Sequence, residues 1–263
     1  MTTLNKKINI LIAAHKACNV PKDSIYLPIQ VGKDLHPDLD LGFTPDNTGD
    51  NISALNPYYC ELTAIYWAWK NLPSDYVGLV HYRRYLSLKK KKDKFSSILS
   101  GEEALRLCEQ YDIILPQKRR YFIETIRSHY THTHDGSQLD KTRNIIERLS
   151  PSYVSAFDKV MNRTWAHVFN MFIFKWDYFG EYCSWLFPIL TQLRKEIDIS
   201  KMSSFDARYL GRISELLLDV WIEGNHLKYH EIGLIQLGKE NWPKKIYGFL
   251  MAKFFNKKYN ASK

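Results

Sequence analysis

Apolar positions at the start of the chain group in blocks too short for helices. "INILIAAHK" (8–16) is a continuous apolar run, the pattern of a strand buried on both faces. "SIYLPIQVG" (24–32) reads as a second strand, with Pro28 marking an edge or a bulge. Residues 33–55 are dense in Gly, Asp, Pro and Asn and read as loop. "NPYYCELTAIYWAWKN" then starts one helix, with Asn56 as N-cap and Pro57 at the first helical position. Tyr58, Leu62, Ile65, Tyr66 and Trp69 form its apolar stripe, and Pro73 ends it. "YVGLVHYRRYL" (76–86) is a strand that runs into His81, Arg83 and Arg84 without a turn residue.

The pattern continues in alternation. "KKKKD" (89–93) reads as a solvated loop, and Ser100 with Glu103 has capping-box spacing for a helix over 100–110. "YDIILPQK" (111–118) is a buried strand stopped by Pro116. Residues 119–136 are polar, aromatic and histidine-rich, and a helix follows over 137–149. "AHVFNMFIFKW" (166–176) is the last clear strand, and two long helices are expected at about 176–196 and 204–224. Strands alternating with helices predict an α/β fold around a mainly parallel sheet, with additional C-terminal helices. No repeat or linker divides the chain, so the expected organisation is one domain over 1–240 and a basic tail over 241–263. That tail alternates apolar clusters with lysines, as an amphipathic segment on an anionic membrane surface does; a tail helix packed on the domain has the same pattern.

Composition narrows the class. With 45% hydrophobic and 25% charged residues in 263, the chain can build a core. A net charge of +9 favours anionic partners. Cys18, Cys60, Cys108 and Cys183 have no metal-like spacing and read as buried free thiols of a reducing compartment. The first residues form neither a signal peptide nor a membrane span, which makes a cytoplasmic protein the expectation. There is no P-loop, G-x-G-x-x-G or G-x-S-x-G, which weakens kinase, dehydrogenase and hydrolase readings.

Candidate chemistry gathers at strand ends, where open α/β sheets bind ligands. His15-Lys16, His81-Arg83-Arg84 and Gln117-Lys118-Arg119-Arg120 follow three strands. Converging cations suit a diphosphate, although each cluster alone is also an ordinary solvated strand exit. The helix start at Asn56 offers unpaired N–H groups, and Asp50, Asn51, Ser53 and Asn56 could bind a base, ribose or sugar. His129, His132, His134 and Asp135 could bind a metal or act as acid and base. An extended segment would put His132 and His134 on one side. Asp38 and Asp40 make a formal D-x-D, but in a Pro/Gly loop. Arg208, Arg212, Glu215 and Asp219 share one stripe of the last helix, which by periodicity alone is a solvated face.

Taken together, "TGDNISALNPYYCELTAIYWAWKN", "YVGLVHYRRYL", "ILPQKRRYFIETIRSHYTHTHDGSQLD", "FNMFIFKWDYFGEYCSWLFPIL" and "RYLGRISELLLDVWIE" resemble the DUF4422 family over about 8–226. That family comprises bacterial capsular and exopolysaccharide biosynthesis proteins regarded as glycosyltransferases. The resemblance implies a GT-A-like, Rossmann-related sheet and transfer of a hexose, galactofuranose as the preferred guess, from a UDP-sugar. The implied acceptor is a lipid-linked repeat unit at the inner face of the plasma membrane, with the protein peripheral there. On this reading Asp135 is the base and Glu215 its rival, with His132 and His134 nearby. His81, Arg83, Arg84 and Arg212 face the diphosphate, and Asn51, Ser53, Asn56 and Glu61 complete the donor pocket. No metal ligand or cofactor is assigned, and Mn²⁺ or Mg²⁺ dependence stays open. The alternatives are a nucleic-acid-binding module, for which no motif is present, and an inactive scaffold of a polysaccharide assembly complex.

Overall fold

Strand β1 (Ile8–Ala14) buries alternate side chains on opposite sides of a sheet, as the period of two requires. Ile8, Ile10 and Ile12 enter one core, and Leu11 and Ala13 enter the other. The computed structural model describes residues 6–89, 91–200 and 202–238. The anticipated basic tail therefore lies outside the described residues.

The remaining strands are β2 (Tyr26–Gln30), β3 (Thr44–Pro45), β4 (Tyr76–His81), β5 (Arg84–Ser87), β6 (Ile113–Pro116), β7 (Arg119–Arg120), β8 (Trp165–Ala166), β9 (Phe172–Lys175) and β10 (His230–Gln236). The helices are α1 (Asn56–Tyr59), α2 (Leu62–Asn71), α3 (Gly101–Gln110), α4 (Ile126–Thr133), α5 (Ser137–Leu149), α6 (Val154–Met161), α7 (Trp176–Glu196) and α8 (Tyr209–Gly224). Eight strands form a sheet in the order β3-β2-β1-β4-β5-β10-β6-β9, and β7 pairs with β8 separately. Helix α3 covers one core, while α2, α7 and α8 contribute to the other. No described helix is long and apolar enough to cross a membrane.

The expected mainly parallel sheet is corrected to a mixed one. Among the described residues, β3-β2-β1-β4 and the β10–β6 pair are parallel. Pairings β4–β5, β5–β10, β4–β9 and β6–β9 are antiparallel. Because β9 returns to β4, the strands β4, β5, β10, β6 and β9 close on themselves. Gly78 permits that return: a Cβ there would stand 2.8 Å from the Phe172 carbonyl oxygen. Pro28 falls where a strand tolerates it, since the short β3 pairs only with Ile29 and Gln30.

Three elements differ from the sequence reading. The strand expected through residue 86 turns at Tyr82-Arg83 and comes back as β5. The helix expected from Asn56 to Pro73 breaks at Cys60, whose φ is 53°. The run at 166–176 is interrupted at 167–171, where Phe169 and Asn170 have φ of 74° and 52°. Strand β10 and helix α6 were not anticipated.

Candidate functional site

Strands β1 and β4 are parallel neighbours, yet the chain leaves β1 toward β2 on one side and reaches β4 on the other. Such a reversal splays the connections and opens a crevice beyond the strands' carboxyl ends. A cavity of about 900 Å³ lies there, within the range that encloses a cofactor-sized ligand. His15 and Lys16 enter it from the end of β1, and His81 to Arg84 from the β4–β5 turn. The break between α1 and α2 delivers Cys60 and Glu61, while α8 and the turn before it deliver Arg208, Arg212 and Glu215.

One wall is Phe169, on the loop 167–171 that α8 fixes. His167 is fully buried, with its backbone N–H and Nδ1 at 2.8 and 2.5 Å from the Asp219 carboxylate. Its Nε2 lies 3.1 Å from Glu231, which pairs with Lys118. The Phe169 N–H donates to Glu215 Oε2 at 3.0 Å. Asn170, also buried, donates to Glu61 Oε1 at 2.8 Å and to the Gly211 carbonyl at 3.1 Å, and accepts from Ser214 Oγ at 2.7 Å. His81 Nε2 donates to the Phe169 carbonyl at 2.6 Å, which fixes its tautomer. The two carboxylates of the site and one of its histidines thus hang on a single short loop.

The cations are held by neighbouring rings, carbonyls and side chains. Arg84 lies 4.2 Å from the Phe169 ring centroid and donates from Nε to Gln236 of β10 at 3.1 Å. Arg212 donates to the Phe205 carbonyl and stacks on its ring at 4.3 Å. Arg208 Nε donates to Cys60 Sγ at 3.3 Å. Burial pushes the Cys60 thiol up to about 11, so it stays protonated near neutrality. Burial also lowers the pKa of His15, helped by Lys16, Arg208 and Arg83.

Glu215 stands apart from the other carboxylates. Burial first, and then the negative charge of Glu61, push it up to about 7, against the opposing influence of Phe169 N–H, Arg84 and Arg119. A carboxyl group that titrates near neutrality beside a set of arginines is equipped to exchange a proton with a bound molecule.

The structure brings together Glu61, His81, Arg83, Arg84, Arg212, Glu215 and Asn56 from the sequence expectations. It places Asn51, Ser53, Asp135, His132 and His134 outside the cavity wall. Ser53 is buried and donates to Asp46, which also holds the Gly32 and Lys33 N–H groups, and Asn51 bonds to Gly49. Asp135 is exposed and accepts the Ser137 N–H at the start of α5. His132 and His134 do not share an extended face, because Thr125 caps α4 and makes the segment helical. His132 and His129 instead hold the two oxygens of buried Glu124 at 2.9 and 3.0 Å, while the His134 ring packs on Tyr130 and Phe205. The single turn of α1 is too short to act as a helix N-terminus for phosphate, and Asn56 bridges its break to Cys60 and Thr63. Asp38 and Asp40 lie on an exposed turn. Among the described residues, no group of three or more His, Cys, Asp or Glu side chains is placed to hold a metal ion. Cys18 and Cys60 are half-buried rather than buried.

Sequence reasoning missed Asn170, Gln236 and Cys60 as site residues. An asparagine inside the apolar run at 166–176 was a legible sign of a break, since asparagine tolerates positive φ.

A switch-point crevice walled by cations and two carboxylates is the candidate site of this α/β chain, and its sequence places the chain in a family. The model of the family described as "Domain of unknown function (DUF4422)" matches residues 9–226, and the chain belongs to that family. Among solved structures it is similar to the apo structure of the WbbM bifunctional glycosyltransferase, at 30% identity and a TM-score of 0.82. The similarity covers 89% of this chain and 46% of the other, so the chain spans about half the length of that structure. No curated protein matches the chain.

Proposed function

We propose that this chain is a nucleotide-sugar-dependent glycosyltransferase of polysaccharide synthesis, with Glu215 as its general base. The observation that carries the reading is Glu215 itself, pushed up to about 7 in a crevice it shares with Arg84, Arg208 and Arg212. Similarity to a glycosyltransferase supports the class. The parallel order β3-β2-β1-β4, with the crevice at its switch point, supports a GT-A-like donor half.

The placement supports the following reaction. Phe169 N–H holds Glu215 Oε2, which leaves Oε1 for an acceptor hydroxyl. As the acceptor oxygen bonds to the sugar's anomeric carbon, its proton passes to Glu215. The bond from that carbon to the diphosphate breaks, and its electron pair leaves on the diphosphate oxygen. His81, Arg83, Arg84 and Lys16, gathered at the strand ends, offset that charge. Asp135 gives up the role of base because it lies outside the cavity wall that Glu215 lines. The donor we favour is a UDP-hexose, UDP-galactofuranose first, and the acceptor a lipid-linked repeat at the inner membrane face.

The test is thermal stabilisation by UDP, GDP, CMP and a panel of UDP-sugars, each with and without Mn²⁺. Selective stabilisation by a UDP-sugar is expected, retained in Glu215→Gln while its turnover is lost. Indifference to every nucleotide overturns the reading.

A further inference from the structure

Between β7 and α4 the chain projects two neighbouring side chains into solvent. Phe122 is 82% exposed and Ile123 86%, the highest values among the described large hydrophobic residues. Phe122 has φ of 59°, a left-handed conformation that aromatic residues seldom adopt. The projection is held at its base. Tyr121 N–H donates to the Thr164 carbonyl at 2.7 Å and Ile126 N–H to the Arg163 carbonyl at 2.8 Å. Buried Glu124, directly after the pair, has both oxygens engaged by His129 and His132. A loop tied down on both sides, with a positive-φ aromatic at its tip, presents these two side chains by construction.

Two side chains on a convex tip offer far less area than a stable protein interface, which buries about 800 Å² per partner. They fit a bilayer interface better, where a small apolar insertion works together with surrounding cations. Arg119 and Arg120, both exposed, lie immediately before the tip, and the whole chain carries +9. The loop leads into α4, and His134, which caps the end of that helix, packs its ring on Phe205 of the crevice wall. We infer that the Phe122–Ile123 tip, with Arg119 and Arg120 as its cationic collar, docks the protein on an anionic membrane surface and turns the Glu215 crevice toward a membrane-borne acceptor. The orientation toward an acceptor rests on the glycosyltransferase reading; the docking does not.

The experiment uses the full chain and vesicles of phosphatidylcholine with or without phosphatidylglycerol, with no donor or acceptor present. Wild type is expected to sediment with the anionic vesicles and to be released by salt. Phe122→Ser with Ile123→Ser lowers the affinity by about tenfold or more, while retaining its melting temperature and nucleotide response. Because the basic residues beyond 240 could bind vesicles themselves, Phe122→Trp supplies a local readout. Its added emission should shift to the blue and be quenched by brominated lipid. Equal vesicle binding by the double-serine variant, together with an unquenched signal from the Phe122→Trp variant, overturns the proposal. So does absence of vesicle binding, including the case in which the tip instead supports self-association that the serines abolish. Loss of vesicle binding with UDP-sugar stabilisation intact removes only the dock, and the reverse result removes only the transferase.

Discussion

Glu215 combines two tendencies that pull against each other: it must lose a proton to act, and its surroundings resist that loss. The rate is therefore expected to rise with pH through about 7, and Glu215→Gln is expected to cost about 10²–10⁴-fold in kcat. Stability should respond in the opposite sense. Between the ordinary carboxylate value of 4.5 and about 7, the folded state keeps a proton that the unfolded chain gives up. Stability is then lost as pH rises through that window. The melting temperature of Glu215→Gln relative to wild type should accordingly be higher at pH 8 than at pH 5; a pH-independent difference would place the titration elsewhere. Arg84→Ala tests the other side of the reaction. It should reduce kcat by about 10²-fold or more with little change in melting temperature, and unchanged turnover would remove Arg84 from the mechanism. The strand-end arginines were legible as local clusters of charge, whereas Arg212 and Glu215 came from the family resemblance, since periodicity alone gave a solvated face. Whether the α8 stripe faced solvent or a cavity was not local, since it depends on what packs opposite.

The elements that build the site are the irregular ones. The break at Cys60 aims Glu61 inward, and the loop at 167–171 supplies Asn170 to hold it. Asn170→Ala removes the donor to Glu61 and to the Gly211 carbonyl and the acceptor of Ser214 Oγ, leaving Ser214 and Gly211 only the bond between them. A loss of about 1–3 kcal/mol in chemical denaturation is expected, with turnover reduced more than donor binding. Full stability in that variant would show that the loop holds itself. Hydrophobic periodicity finds regular elements and runs through such breaks. That is why one helix was expected over α1 and α2, and one strand over β8 and β9. The segment 119–136 was read only as polar, aromatic and histidine-rich, with no element assigned, while the Thr125 cap starts a helix there.

At the scale of the molecule, the alternation of strands and helices revealed an α/β fold but not its mixed pairing. Parallel or antiparallel pairing is decided by partners far apart in sequence, and nothing in "HEIGLIQ" announces that β10 belongs between β5 and β6. Gly78 is the position at which the arrangement can be tested. Gly78→Val should destabilise by about 1–3 kcal/mol or more by driving β9 away from β4, whereas unchanged stability in that variant would contradict the close approach.

The position of β10 also governs when the sheet can be finished. During synthesis β5 and β6 emerge early, and the strand that belongs between them leaves the ribosome much later; Arg84 waits across 152 positions for Gln236. Until then both strands present bare hydrogen-bonding edges, the feature through which nascent chains stick to one another. A ribosome stalled before residue 230 would hold a chain with most of its core residues and an unfilled slot, a natural client for a chaperone. The last of the described strands to be made is the one that both seals the sheet and seats an arginine of the site.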